Sequence, residues 1–161
     1  MPSHPWLLVC ALSGLCLTHA ACTDDAKRVE QSHAAAGMGD PAAQYNLGVR
    51  YAEGRGVPQS DTEATAWFRK AAEQGFAPAQ HNLAVRCETG KGTRKNQREA
   101  VRWYREAADQ GFVKAQHNLA VCYAEGRGVE QSDVEASKWF HRAANKGSSE
   151  AELWLKAHEG K

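Results

Sequence analysis

One string of residues returns twice at a fixed step, and that step limits the folds open to the chain. AQYNLGVRYAEGRGV (43–57) is followed by AQHNLAVRCETGKGT (79–93) and AQHNLAVCYAEGRGV (115–129), 36 residues apart each time. A period in this range marks an array of stacked supersecondary units. A unit so short cannot bury an apolar face alone and closes its core only against its neighbours.

Each unit reads as two helices. Asp40 is suited to cap the first and Pro41 to its first turn. Ala43, Leu47 and Tyr51 fall at i, i+4 and i+8 and form an apolar stripe. Gly54 ends the helix, because glycine accepts the left-handed turn found there, and residues 55–59 form the connection. The second helix opens on Ser60 with Glu63 three residues later, a capping box repeated at Ser132–Glu135 and, with asparagine, at Asn96–Glu99. Its apolar face is Ala64, Trp67, Phe68, Ala71 and Ala72, copied one and two steps further on, and Gly75, Gly111 and Gly147 close it. Large residues on second helices are expected to lie against small ones, Gly48, Ala84 and Ala120, on first helices. Residues 22–39 align as a half repeat, with Ala35-Ala36 in register with Ala71-Ala72. Residues 148–161 align with a first helix, Leu155 matching Leu119, and are expected to be a cap with a polar outer face. The expected order is residues 1–21, then the cap 22–39, repeats 40–75, 76–111 and 112–147, and the cap 148–161.

The first 21 residues stand apart. No Lys or Arg precedes Lys27, and Trp6 to Leu17 is almost wholly apolar. That run is too short to span a bilayer as a helix. With small residues following, it reads as a secretory signal peptide cleaved after Ala20 or Ala21. A second reading takes Ala20-Ala21-Cys22 as a lipoprotein signal with a lipid anchor on Cys22, although His19 stands where such signals usually carry Leu. The expected location is export to the periplasm or beyond. Of five Cys, Cys10 and Cys16 fall within the signal. Cys87 replaces the Tyr of positions 51 and 123 and reads as a buried thiol. The chain carries 20 Lys and Arg against 19 Asp and Glu, so no net field draws it to nucleic acid.

The pattern A-x-x-x-L-G/A-x-x-Y…G-x-G-V…A-x-x-W-F/Y-x-x-A-A-x-x-G, carried by Ala43, Leu47, Gly48, Tyr51, Gly54, Gly56, Val57, Ala64, Trp67, Phe68, Ala71, Ala72 and Gly75, resembles the Sel-1-like repeat, a relative of the tetratricopeptide repeat. Two further copies run from Ala79 and Ala115. The resemblance implies an all-α fold, a right-handed α-solenoid of three 36-residue αα-hairpin repeats with terminal capping helices. It also implies a non-enzymatic scaffold of the bacterial cell envelope that binds a protein or peptide on the concave face lined by first helices. The alternative is a hydrolase acting on β-lactams or peptidoglycan, as implied by a cysteine-rich branch of the family. That branch carries a Cys pair inside each repeat, and here the second helices contain none.

Catalytic signatures are absent from the sequence: no Ser is followed three residues later by Lys, and there is no C-x-x-C, H-E-x-x-H or phosphate-binding Gly motif. No catalytic residue, cofactor or metal is expected. His81 and His117 share a place with Tyr45, which suits a half-buried ring better than a metal ligand. Asn46, Asn82 and Asn118 form a ladder that could bond a bound peptide's amides or a neighbouring helix, and Arg50 and Arg86 lie one turn on. In the second repeat the connection carries Lys91, Arg94, Lys95 and Arg98, a candidate basic patch with Arg102 and Arg105, or a solvated charge run. Candidate partner-binding residues are therefore Tyr45, Asn46, Arg50, His81, Asn82, Arg86, His117, Asn118, Arg94, Lys95 and Arg98.

Overall fold

The computed structural model describes residues 29–158. The expected signal peptide, Cys22 and the start of the N-terminal cap lie outside these residues. The described chain contains eight α-helices and no strand. They are α1 (29–37), α2 (Pro41–Glu53), α3 (Asp61–Glu73), α4 (Ala77–Thr89), α5 (Gln97–Asp109), α6 (Val113–Glu125), α7 (Asp133–Ala144) and α8 (Ser149–His158). From α2 onward each helix packs on the next, so the hairpins α2–α3, α4–α5 and α6–α7 stack into an α-solenoid closed at its C-terminal side by α8.

The helices begin where their caps dictate. Asp40 Oδ1 accepts from the Ala42 amide at 3.0 Å, Ser60 Oγ from Glu63 at 3.2 Å, Asn96 Oδ1 from Glu99 at 3.1 Å and Ser132 Oγ from Glu135 at 3.3 Å. Each such bond contributes about 1 kcal/mol. Helices α4 and α6 start differently, on Phe76 and Phe112 without a side-chain cap. Those rings dock instead against Tyr45 and His81, with centroids 5.5 and 5.4 Å apart. The second helices end alike: Phe76 N bonds Ala71 O and Gly75 N bonds Ala72 O, with Gly75 at φ +84°. This pair of bonds consumes carbonyls that the helix end would otherwise orphan.

In each hairpin the Phe or Tyr of the second helix lies deepest in the core. Phe68, Tyr104 and Phe140 are at most 2% exposed, and burial of such a side chain is worth about 2 kcal/mol in transfer from water. The expected large-on-small contact is present: a Cβ on Gly48 would come within 2.8 Å of the Phe68 ring. The neighbouring tryptophans behave differently. Trp139 is buried, while Trp67 and Trp103 are half-buried on the rim. Lys70 Nζ lies 3.9 Å above the Trp67 ring, keeping the indole partly covered by a cation.

Buried glutamines that the sequence pattern does not single out bind the stack together. Gln44, Gln80 and Gln116 donate from Nε2 to Ala36 O, Ala72 O and Ala108 O at 3.2, 3.2 and 3.0 Å. Each thereby reaches the C-terminal end of the preceding second helix. Gln74 and Gln110 in turn donate to Gln44 and Gln80 at 2.7 and 2.8 Å. Lys146 stands at their position in the third repeat and bonds Gly111 O instead, which leaves Gln116 Oε1 unpaired.

The C-terminal cap departs from expectation in one respect. Its outer face is not uniformly polar, since Leu153 is 67% exposed. Leu153 shares the register of Tyr45, His81 and His117. Each of those rings lies against the aromatic of its own second helix; α8 has no such helix after it among the described residues.

The connections lock onto the preceding repeat. At Gly92 (φ +67°) a Cβ would sit 2.0 Å from Asp61 O, whereas at Gly75 (φ +84°) it would meet nothing within 4 Å. Gly75→Ala is expected to cost about 1 kcal/mol, the left-handed penalty alone. Gly92→Ala adds a backbone collision and is expected to cost about 3 kcal/mol. Urea unfolding of the two variants checks this, and equal losses would refute it.

Candidate interaction surface

The first helices α2, α4 and α6 carry most of the candidate residues. Asn46 is exposed and Arg50 half-buried. Tyr45 is half-buried, its ring 5.6 Å from that of Phe68 and 5.5 Å from that of Phe76. His81 occupies the same niche, against Tyr104 and Phe112, and His117 lies on Phe140 at 5.5 Å. The shared place of Tyr45, His81 and His117 is therefore a ring packed between helices with one edge outward.

The structure joins His81, Asn82 and Asn118 into one group. His81 Nδ1 lies 3.2 Å from Asn82 Oδ1, and Asn118 Nδ2 lies 3.2 Å from His81 Nε2. A neutral imidazole protonated on Nδ1 satisfies both contacts: it donates to the Asn82 carbonyl and accepts from the Asn118 amide. Burial lowers the His81 pKa below its ordinary value, the Asn82 bond opposes this, and Lys114 adds to the lowering. The ladder is thus partly consumed in joining repeat two to repeat three, and Asn46 is its most open member.

Arg86 does not face solvent. It is 8% exposed, and its Nη1 reaches Asp61 Oδ1 at 2.9 Å, Asp61 O at 3.3 Å and Thr65 Oγ1 at 3.4 Å. Its guanidinium, lying over the Phe68 ring at 5.3 Å, clamps repeat two onto repeat one and is not offered to a partner. A charge is retained in so dry a place only where it is paired and hydrogen-bonded.

Arg94, Lys95, Arg98 and Arg102 are exposed and make no salt bridge among the described residues. They lie on the α4–α5 connection and the first half of α5, away from the ring niches near the start of the first helices. Arg105 donates to the Tyr123 hydroxyl. The basic cluster and the asparagine ladder are two surfaces, not one.

Val49, Val85 and Val121 were not singled out from the sequence. They recur one turn after the asparagines and remain half-buried, with part of each side chain open beside the ladder. The signal was the same residue type at the same repeat position in all three units. Among the described residues no group of three or more His, Cys, Asp or Glu is placed to hold a metal ion. Cys87 and Cys122 are buried free thiols, each pushed up to about 11 chiefly by burial. No helix of the described chain is long and apolar enough to cross a membrane.

A stack of three such hairpins defines a helical-repeat scaffold. The family profile for the Sel1 repeat matches residues 41–76, 77–112 and 113–148. The chain belongs to the Sel1 repeat family, whose members generally mediate protein–protein interaction. Among solved structures, a Sel1 repeat protein from Oxalobacter formigenes matches with a TM-score of 0.76 at 36% identity, covering 81% of this chain and 98% of that one. A protective antigen present in uropathogenic Escherichia coli strains, described as displaying an SLR fold, matches with a TM-score of 0.76 at 38% identity. That match covers 80% of this chain but 29% of the antigen. Cysteine rich protein B of Helicobacter pylori matches with a TM-score of 0.65 at 21% identity over 83% of this chain and 96% of that one, a likeness of fold alone. No curated protein matches.

The His81 bridge gives a pH dependence of known sign. The unfolded imidazole takes up a proton as pH falls through 6.5 and the folded one only lower. Stability contributed by neutral His81 is therefore present at neutral pH and lost as pH falls below 6.5. His81→Tyr, which installs the residue of repeat one, is expected to lose less stability than wild type between pH 7.5 and 5.5 in urea unfolding. Equal losses would show that His81 is not the titrating group.

Proposed function

We propose that the protein is a non-enzymatic interaction scaffold of the bacterial cell envelope. It binds a protein or peptide partner along the concave face formed by α2, α4 and α6. One observation carries the reading: the same pair of residues, Asn and, three positions on, Val, recurs on three successive first helices at Asn46–Val49, Asn82–Val85 and Asn118–Val121. A row of amides beside a row of methyl groups suits an extended segment, whose backbone needs hydrogen-bond partners while its side chains seek apolar cover. The exposed cations Arg94, Lys95 and Arg98 form a separate contact for acidic surface, felt as a salt-dependent on-rate. Residues 1–21 direct export, with Cys22 available for lipidation as the second form of the mature N-terminus.

Crosslinking with mass spectrometry in the native cell identifies the partner. The combined variant Asn46→Glu, Val85→Glu, Val121→Glu is expected to lose that partner while keeping the helical circular dichroism of wild type. A folded variant that still captures it would move the binding surface elsewhere. Intact-mass analysis of protein recovered from the envelope is expected to find a chain beginning at Ala21 or Cys22. A full-length chain beginning at Met1 would refute export by cleavage.

A further inference from the structure

The Arg86 clamp is a guanidinium receptor, and residue types like those of its acceptors recur elsewhere in the chain. Its parts are Asp61 and Thr65, four residues apart on α3, and Arg86 arriving from the next first helix. One repeat step on, all three have changed together: Gln97, Val101 and Cys122 stand in their places. Val101 and Cys122 are buried there, so the polar receptor has become apolar contact along with its ligand. Two steps on, the receptor returns. Asp133 stands for Asp61 and Ser137 for Thr65, yet the place of Arg86 is held by His158.

His158 does not fill the receptor. Its ring stacks on Trp154 at 3.9 Å and its Nδ1 is bonded to Trp154 O at 2.8 Å. In the first two repeats Gly92 closes over Asp61 O and Gly128 over Gln97 O. A groove of about 370 Å³ lies at this third place, lined by Val121, Ala124, Glu125, Asp133, Trp154 and His158 itself, and Ser137 follows one turn after Asp133 on α7. Glu125 is shared with Arg127 at 2.8 Å, while Asp133 makes no ion pair among the described residues.

We propose that this groove receives the guanidinium of an arginine carried by a partner protein. Asp133 and Ser137 accept its hydrogen bonds, and Trp154 covers its apolar stem. A planar guanidinium suits the site better than an ammonium, because its N–H groups are fixed in a fork that meets a carboxylate and a second acceptor together. The proposal rests on the scaffold reading only in that a bound partner supplies the arginine; a peptide titration tests the receptor alone, whatever the outcome of partner capture.

The probe is the peptide acetyl-Gly-Arg-Gly-Val-amide, with a matched peptide in which uncharged citrulline replaces arginine, each titrated into the full chain and followed by amide and indole NMR shifts. Saturable shifts are expected at Asp133, Ser137 and the Trp154 indole with the arginine peptide only. Asp133→Asn is expected to weaken binding about tenfold, the loss typical of a charge-assisted hydrogen bond. His158→Arg is expected to abolish binding, since the chain then supplies its own guanidinium as it does at Arg86. Spectra with native dispersion show that both variants remain folded. Absence of saturable shifts, equal binding of the citrulline peptide, or unaltered binding by either variant overturns the proposal.

Discussion

The whole stack depends on one aromatic ring buried on the second helix of each hairpin, which in the first hairpin lies against a helix that offers it no side chain. Phe68 rests on Gly48, where a Cβ would come within 2.8 Å of the ring; Tyr104 and Phe140 are buried in the next two hairpins, where Ala84 and Ala120, also buried, stand at the place of Gly48. Because the Phe68 ring packs so closely on Gly48, the first hairpin closes tightly, and the buried residues of all three hairpins join in one cluster. Burial then continues from one unit to the next without a central core, so each repeat answers mainly to the two beside it.

Apolar contact alone would let such units slide or exchange. Polar bonds at the junctions prevent this: the glutamine bond recurs at each, and each junction between full repeats adds contacts of its own. Arg86 joins repeat two to repeat one through Asp61 and Thr65. Repeat three is joined to repeat two by Arg127 on Glu88, which also accepts from the Tyr104 hydroxyl at 2.8 Å, and by the contact of His81 with Asn118. Buried polar groups contribute little net stability when satisfied and cost several kcal/mol when one partner is removed. Their effect here is to make one register much better than its competitors.

The hairpins, their caps and the large-on-small packing were legible because the period lets every assignment be checked three times. Asp40, Ser60, Asn96 and Ser132 cap as their chemistry requires, and Gly54 and Gly75 close their helices. What was hidden depends on contacts between units. Arg86 reads from its own helix as a neighbour of Asn82 on an open face; its acceptor lies 25 residues earlier, and only comparison of positions 61, 97 and 133 exposes the pairing. The tryptophans mislead in the opposite sense: Trp67 is large and periodic yet stays on the rim, because Phe68 already fills the space behind Gly48. Gln44, Gln80 and Gln116 look like surface residues until the carbonyl ends of the preceding helices are placed beside them.

The coordinated change at positions 97, 101 and 122 has a bearing on how such arrays can grow. Tandem copies invite unequal recombination, and identical backbones would make any insertion or deletion of one unit fit. A second copy of repeat two placed after the first would set its Arg86 against Gln97 and Val101, a cation in a dry pocket with no anion. Loss of repeat two would set Cys122 against Asp61 and Thr65, stranding their oxygens. The three units share a shape but carry different locks, so their junctions fit in one order only.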